Sequence, residues 1–143
     1  MTAGEVGEAL DCPSATSSRS QLRSQEAIAE QFHHIGVTAY YSGDGRLACV
    51  AVDASDGPQV TLDGVSLVGC VPSELTDWIC DHTEAQGLEL SWTHEGNASV
   101  RDLGLIMRVQ RAGDVVLSRP LFMIHEWAMG VWEHVPDTEW RTF

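Results

Sequence analysis

The feature that most constrains the fold of this 143-residue chain is a pair of β-rich runs within residues 35–54, separated by the turn-forming residues 42–45. A short loop of glycine and aspartate between β-forming runs is a strong signal for a β-hairpin. Val37, Ala39 and Tyr41 share one face of the first run, and neither face of either run is plainly polar. A hairpin that is apolar on both faces must be covered on both, so we expect it at the centre of a sheet.

A second hairpin is predicted for residues 103–118, which follow the first pattern 68 positions downstream without a gap. Gly36 then aligns with Gly104, and Gly45 aligns with Gly113. The match has two interpretations: a duplicated β-hairpin, or two unrelated hairpins that share turn glycines. A long period that is seen twice is not typical of solenoid repeats.

Two helices are predicted from apolar spacing. Residues 19–34 carry apolar side chains near helical spacing and are followed by Gly36, a typical terminating residue. Residues 74–86 place an apolar stripe on one face and end before Gly87. Both helices are expected to cover a sheet.

The remaining β-forming runs complete the predicted sheet. Residues 88–93 alternate apolar and polar side chains, with Trp92 on the apolar face, as in a half-exposed strand. Pro120 argues against a central strand there, so the residues after it are predicted to form an edge strand or a new element. The fold class predicted is α+β, with a mostly antiparallel sheet of about five to seven strands and two helices on one face.

The domain organisation follows from composition. Residues 1–17 are acidic and rich in serine and threonine, and they show no apolar periodicity, which predicts a flexible N-terminal arm. Residues 18–143 are expected to form a single globular domain, because a chain of this size buries one ordinary core.

The charge balance narrows the classes of partner. The chain has 21 acidic and 8 basic residues, which gives a formal net charge of −13. This excess repels phosphate backbones, disfavours a nucleic-acid partner and favours a basic protein partner. No apolar run reaches the ~18 to 20 residues that span a bilayer, and the first residues do not resemble a signal peptide. We therefore expect a cytoplasmic protein with no membrane partner, and the sequence leaves a homo-oligomer open.

No cofactor, metal site or catalytic residue is predicted. Cys12, Cys49, Cys70 and Cys80 are spaced without a CxxC pair, which favours free thiols over zinc binding. His125 and His134 lie nine residues apart, unlike the four-residue spacing of a helical HExxH site. The chain has no GxSxG, phosphate-loop or GxGxxG motif, so catalysis is less expected than binding.

The C-terminal residues give the first candidate binding site, because tryptophans alternate there with acidic residues. Aromatic anchors within a charged rim are typical of protein interfaces. The candidate residues are Trp127, Trp132, Glu133, Glu139 and Trp140. The alternative is that the same aromatic residues close the core. A second candidate is a pocket between sheet and helix, lined by Trp78, His82 and Trp92.

One resemblance to a known group emerges from the order of these motifs. A hairpin that starts at Leu-Gly or Ile-Gly, the segment LDGVSLVG, a helix that begins PSEL and a second hairpin follow one another over about residues 32–120. This order resembles small, uncharacterised α+β domains of Streptomyces-type actinobacteria. The resemblance supplies no functional residues that could be transferred to this chain.

Two functions from different classes remain. The first is a non-catalytic cytoplasmic binding protein that neutralises or regulates a protein partner, for example a toxin-immunity protein; small size and strong acidity favour it. The alternative is a small-molecule-binding protein, or a cofactor-free enzyme of a biosynthetic pathway, with its pocket between sheet and helix.

Overall fold

The computed structural model describes residues 1–11, 16–23 and 25–142, without the side chains of residues 132 and 133. Its helices are α1 (Ala3–Ala9), α2 (Pro72–Gln86), α3 (His125–Ala128) and α4 (Val131–His134), and 3₁₀ turns cover Arg101–Leu103 and Asp137–Arg141. Its strands are β1 (Thr16–Gln21), β2 (Glu26–Phe32), β3 (Val37–Tyr41), β4 (Leu47–Val52), β5 (Thr61–Leu62), β6 (Val65–Ser66), β7 (Leu90–Trp92), β8 (Ala98–Val100), β9 (Leu105–Ala112) and β10 (Val115–Met123).

Eight of the strands form one antiparallel sheet in the order β1-β2-β3-β4-β10-β9-β8-β7, and β5 and β6 form a separate hairpin. The predicted α+β class with an antiparallel sheet is confirmed. The prediction of five to seven strands was too low, because one predicted helix is a pair of strands. As expected from its apolar faces, the β3–β4 hairpin lies at the centre of the sheet.

The predicted helix over residues 19–34 is wrong, because this segment contributes to β1 and β2. Thr16 to Gln21 pair with Glu26 to Gln31 in an antiparallel register. The buried side chains of β2 alternate, with Ala27 and Ala29 at 1% exposure, whereas Ile28, part of the supposed helical stripe, is 50% exposed. Pairing with the sheet therefore outweighs the helix propensity of alanine and glutamate.

The N-terminal residues include α1, where the sequence predicts a flexible arm. Thr2 and Glu5 form a capping box at its start. Val6 is buried with Phe32 and Tyr41, and the Leu47 N–H donates to the Met1 carbonyl at 2.6 Å. The rest of the predicted arm includes residues 12–15, which lie outside the described residues.

Each face of the sheet is covered by different elements. Paired residues of an antiparallel sheet share a face, so the register places Ala39, Val50, Phe122 and Leu105 on one side. Apolar clusters join this side to α1 at β2 and β3, and to α2 at β8 and β9. The other side, which includes Ala51, Leu121 and Ile106, packs against Trp127, Ala128 and Val135 of the C-terminal segment.

The second predicted helix is confirmed as α2, which begins at Pro72 and ends at Gly87 in a left-handed conformation. The second predicted hairpin is β9–β10. The prediction that Pro120 excludes a central strand is wrong, because β10 lies between β4 and β9. Pairing with β4 begins only at Leu121, so Pro120 adjoins the start of that ladder rather than interrupting it.

The starts of the two hairpins share one backbone geometry. Gly36 and Gly104 both have positive φ angles, of 65° and 64°. The Gly36 carbonyl accepts a hydrogen bond from the Asp53 N–H at 2.8 Å, and the Gly104 carbonyl accepts one from the Met123 N–H at 2.7 Å. The correspondence predicted between the two glycines therefore extends to their hydrogen bonds.

Within the described part of the chain, no helix has the length and apolar character needed to cross a bilayer.

Candidate functional site

The structure buries two of the five residues proposed as a partner-binding surface. Trp127 is 3% exposed and packs in the core, and Glu139 is 1% exposed. Trp140 is partly buried beside the same core, and its indole N–H donates to the Val135 carbonyl at 3.2 Å. These positions match the alternative in which the C-terminal aromatic residues close the core. The side chains of Trp132 and Glu133 lie outside the description.

Glu139 is buried because the sheet supplies a partner for its charge. Its carboxylate accepts hydrogen bonds from Arg119 Nε at 2.7 Å, from Arg119 Nη2 at 2.9 Å and from the Tyr40 hydroxyl. Arg119 Nη1 donates to Gln110 at 2.8 Å and lies 3.6 Å from an Asp53 oxygen. The forked geometry of the guanidinium suits this bidentate contact.

The surroundings of Tyr40 and Arg119 keep both of these groups protonated. Burial, together with the Glu139 carboxylate, raises the pKa of Tyr40 far above its usual value. Burial acts to lower the pKa of Arg119, but its contacts with Glu139 outweigh this effect and raise that pKa overall. Tyr40 therefore remains a hydrogen-bond donor and Arg119 remains charged at neutral pH. The cluster fixes the C-terminal segment to the sheet rather than presenting a group for chemistry.

Arg108 extends the attachment of the C-terminal segment. Its Nη2 donates to the Glu139 carbonyl at 3.1 Å, and its Nη1 lies 3.2 Å from Glu95. The guanidinium carbon lies 4.4 Å from the centre of a Trp140 ring, a cation–π distance. Trp140 is therefore held in place by Arg108.

The residues proposed for the alternative pocket are divided between two places. Trp78 and His82 stack on α2 with ring centres 4.6 Å apart, and His82 Nε2 lies 3.1 Å from Asp63. Trp92 instead lines a cleft at the far end of the sheet, which it shares with Trp140. The structure thus brings together one residue from each predicted site.

This cleft, which we call the β7 cleft, has a volume of about 580 Å³. Its size lies within the range of small-molecule sites, roughly 300–1,000 Å³. It lies between strands β7 and β8 and the segment that contains α3 and α4. Its lining residues are Ser91, Trp92, Thr93, His94, Ser99, Arg101, Ala128, Met129, Gly130, Val131 and Trp140.

The cleft exists because the C-terminal segment covers only part of its face of the sheet. At the β1 edge, the Ser20 hydroxyl donates to Asp137 at 2.8 Å, and the Gln21 N–H donates to the same oxygen at 3.0 Å. At the β7 edge, Ser91 and Ser99 pair on the same face but line the cleft. The segment is therefore anchored towards β1, which leaves the β7 end of this face open.

The lining combines apolar side chains with one charged side chain, that of Arg101. Trp92 and Met129 are each 52% exposed, a high value for large apolar side chains. Arg101 lies in the 3₁₀ turn after β8, and its side chain is 35% exposed. Its Nη1 lies 3.9 Å from Glu89, which does not line the cleft.

The described cysteines are Cys49, Cys70 and Cys80, and all three are free thiols; Cys12 lies outside the description. Burial raises the pKa of the Cys49 thiol, which disfavours the reactive thiolate. Among the residues that the structure describes, no group of three or more potential metal ligands could hold an ion.

Sequence reasoning missed most of the β7 cleft. The alternation in residues 88–93 identified Trp92, and the aromatic C-terminus identified Trp140. Arg101, Ser99 and Met129 carry no local signal of their own, since they come together only through the pairing of β7 with β8 and the path of the C-terminal segment.

No family model, curated protein or solved structure matches this chain.

Proposed function

We propose that the protein binds a small molecule in the β7 cleft and does so without catalysis. The observation that carries this proposal is a cleft of about 580 Å³ whose lining residues include Trp92 and Met129, each 52% exposed. Apolar walls with a few convergent polar groups are typical of ligand sites. Ser91 and Ser99 supply hydroxyl groups, and Arg101 supplies a cation.

The proposal is tested with N-phenyl-1-naphthylamine, a neutral aromatic dye whose fluorescence rises in apolar sites. Trp92→Ala truncates an exposed aromatic residue of the lining, and we expect about tenfold weaker dye binding, as for loss of about 1.4 kcal/mol of binding free energy. Val115→Ala is the matched control, because Val115 is 54% exposed and does not line the cleft. Equal dye affinity in all three proteins would contradict the proposal.

A second candidate is a cytoplasmic protein that neutralises or regulates a basic protein partner, as a toxin-immunity protein does. Two observations favour it: the net charge of −13 and the exposure of Trp92 and Met129, which both line the cleft. Exposed aromatic and methionine side chains are enriched at interfaces, and acidic charge speeds association with a basic partner.

This second candidate predicts a defined pattern of binding. A neighbouring gene for a basic toxin would supply the partner, and titration with that protein is the assay. Met129→Asp is expected to abolish binding, while Val115→Asp is expected to leave it unchanged. Association should also slow as salt rises, because the acidic charge is then screened. Tight binding by the Met129→Asp protein would place the interface elsewhere.

A further inference from the structure

The charged side chain that lines the β7 cleft has the opposite sign to the net charge of the chain. The protein has 21 acidic residues. As far as the chain is described, none of them is among the residues that line this cleft, whereas Arg101 is. The cleft therefore presents one formal positive charge on a molecule whose net charge is negative. Such a contrast favours a ligand with a negatively charged group.

Arg101 is well placed to bind an anion. It begins the 3₁₀ turn after β8, and its backbone carbonyl accepts a hydrogen bond from the Gly104 N–H at 3.0 Å. Its nearest acid, Glu89, lies 3.9 Å away and is 68% exposed, so this pair is long and solvated. Arginine presents five donors in a planar fork that matches a carboxylate or sulfonate.

The rest of the lining suits a flat, apolar body. Trp140 and Met129 line the cleft on the side of the C-terminal segment, and Trp92 lines it at the end of β7. Aromatic rings stack on indoles, and methionine sulfur packs against ring edges. On the sheet, Ser91 and Ser99 lie opposite each other in register and place two hydroxyl groups at the same side of the cleft.

We propose that the ligand of the β7 cleft is a planar aromatic molecule with one negatively charged group, which Arg101 binds. This inference rests on the proposed small-molecule function and specifies its ligand class. The aromatic body contacts the indoles and Met129, and the anionic group lies at the Arg101 end of the cleft. The net charge of the protein makes the arginine decisive, because without it the long-range field opposes an anion.

Two dyes with one aromatic skeleton test the proposal. 1-Anilinonaphthalene-8-sulfonate is N-phenyl-1-naphthylamine with an added sulfonate, so the ratio of their affinities isolates the contribution of the charge. We expect the sulfonate to bind the native protein about tenfold more tightly, as for one charge-assisted hydrogen bond. Arg101→Gln should remove this advantage and leave the affinity of the neutral dye within about twofold.

Two further variants make the test independent of any local effect of the glutamine. Glu89→Gln removes the acid beside Arg101 and should strengthen sulfonate binding, a change of opposite sign. Arg46→Gln is the matched control, since Arg46 is 79% exposed and does not line the cleft. Thermal melts of each variant confirm that the dye reports a folded protein.

The outcomes separate the ligand class from the function. If both dyes bind equally and Arg101→Gln changes neither, the anionic ligand is ruled out, while loss of neutral dye in Trp92→Ala keeps the small-molecule function. If neither Trp92→Ala nor Arg101→Gln changes any affinity, both the ligand class and the function fail. If Arg46→Gln weakens sulfonate binding as much as Arg101→Gln, the dye responds to net charge alone and the inference fails.

Discussion

Replacing Glu139 by glutamine should strongly destabilise the fold, because the side chain is 1% exposed and is the main partner of Arg119, itself 7% exposed. The carboxylate accepts two hydrogen bonds from Arg119 and one from Tyr40. Removing one partner of a buried ion pair costs about 3–5 kcal/mol. Since Gln110 and Asp53 remain beside Arg119, at 2.8 and 3.6 Å, we expect the lower end, about 3 kcal/mol.

The assay is urea unfolding followed by tryptophan fluorescence, from which the free energy of unfolding is obtained. Arg141→Gln serves as the matched control. Arg141 lies 3.6 Å from Asp137 and is 75% exposed, so loss of that ion pair should change the free energy of unfolding by less than about 1 kcal/mol.

A loss below about 1 kcal/mol in the Glu139→Gln protein would refute this reasoning. It would mean that Gln110 and Asp53 satisfy Arg119 by themselves. It would also mean that the C-terminal segment is held by the packing of Trp127 rather than by the buried charge pair.

Three further predictions concern the frame of the fold. Val6→Ala should lower the free energy of unfolding by about 1.5 kcal/mol, at ~0.8 kcal/mol per buried methylene, in a urea melt. Gly104→Ala should lower the free energy of unfolding by about 3 kcal/mol or more, because an added Cβ would meet the Met123 carbonyl. Gly113→Ala has open space around the added Cβ and should lower the same free energy by about 1 kcal/mol. Burial acts to raise the pKa of Asp53, but hydrogen bonds from backbone N–H groups and Gln110, with the nearby Arg119, lower it overall. A carboxyl group whose pKa is lower in the folded state than in the unfolded state, where it is near ~4, stabilises the fold above that unfolded pKa. This contribution is lost as the pH falls through the folded pKa. Asp53→Asn should therefore flatten the decline of stability that melts measure from about pH 5 to about pH 2.

The parts of the fold that the sequence predicts are those with local turn chemistry. Gly45 and Gly113 both adopt positive φ angles in their hairpin turns, and Gly87 does so at the end of α2. Each of these conformations favours glycine, so the element boundaries can be read from single residues. The β3–β4 hairpin, the β9–β10 hairpin and α2 were predicted for this reason.

The strands β1 and β2 could not be predicted in the same way. Their buried side chains include Ala27 and Ala29, and alanine is also the best helix former. The choice of strand depends on the ladder with β3, in which Ala29 pairs with Tyr40. That contact lies outside any local window of sequence, and helical spacing of Leu22, Ile28 and Phe32 therefore gave the wrong element.

The candidate site was predictable only in fragments, because its two walls are about thirty residues apart in the chain. The lining residues from β7 to Arg101 lie on one side, and Ala128, Met129, Gly130, Val131 and Trp140 lie on the other. The tryptophans of both segments are predicted as site residues from the sequence. The sequence, however, places Trp92 in a pocket with Trp78 and places Trp140 in an exposed interface. That Trp92 and Trp140 line one cleft depends on where the C-terminal segment crosses the sheet.

The position of the β7 cleft also follows from the symmetry of the strand order. On each side of the boundary between β4 and β10, a helix and four antiparallel strands follow one another, with α1 before β1–β4 and α2 before β7–β10. The matched hydrogen bonds of Gly36 and Gly104 favour the interpretation of the two hairpins as a duplication over that of unrelated hairpins with shared turn glycines. A symmetric sheet offers equivalent surfaces at both ends of one face, but a single C-terminal segment cannot cover both. Since Asp137 anchors that segment at β1, the equivalent surface at β7 remains open, and a binding site is expected at that end.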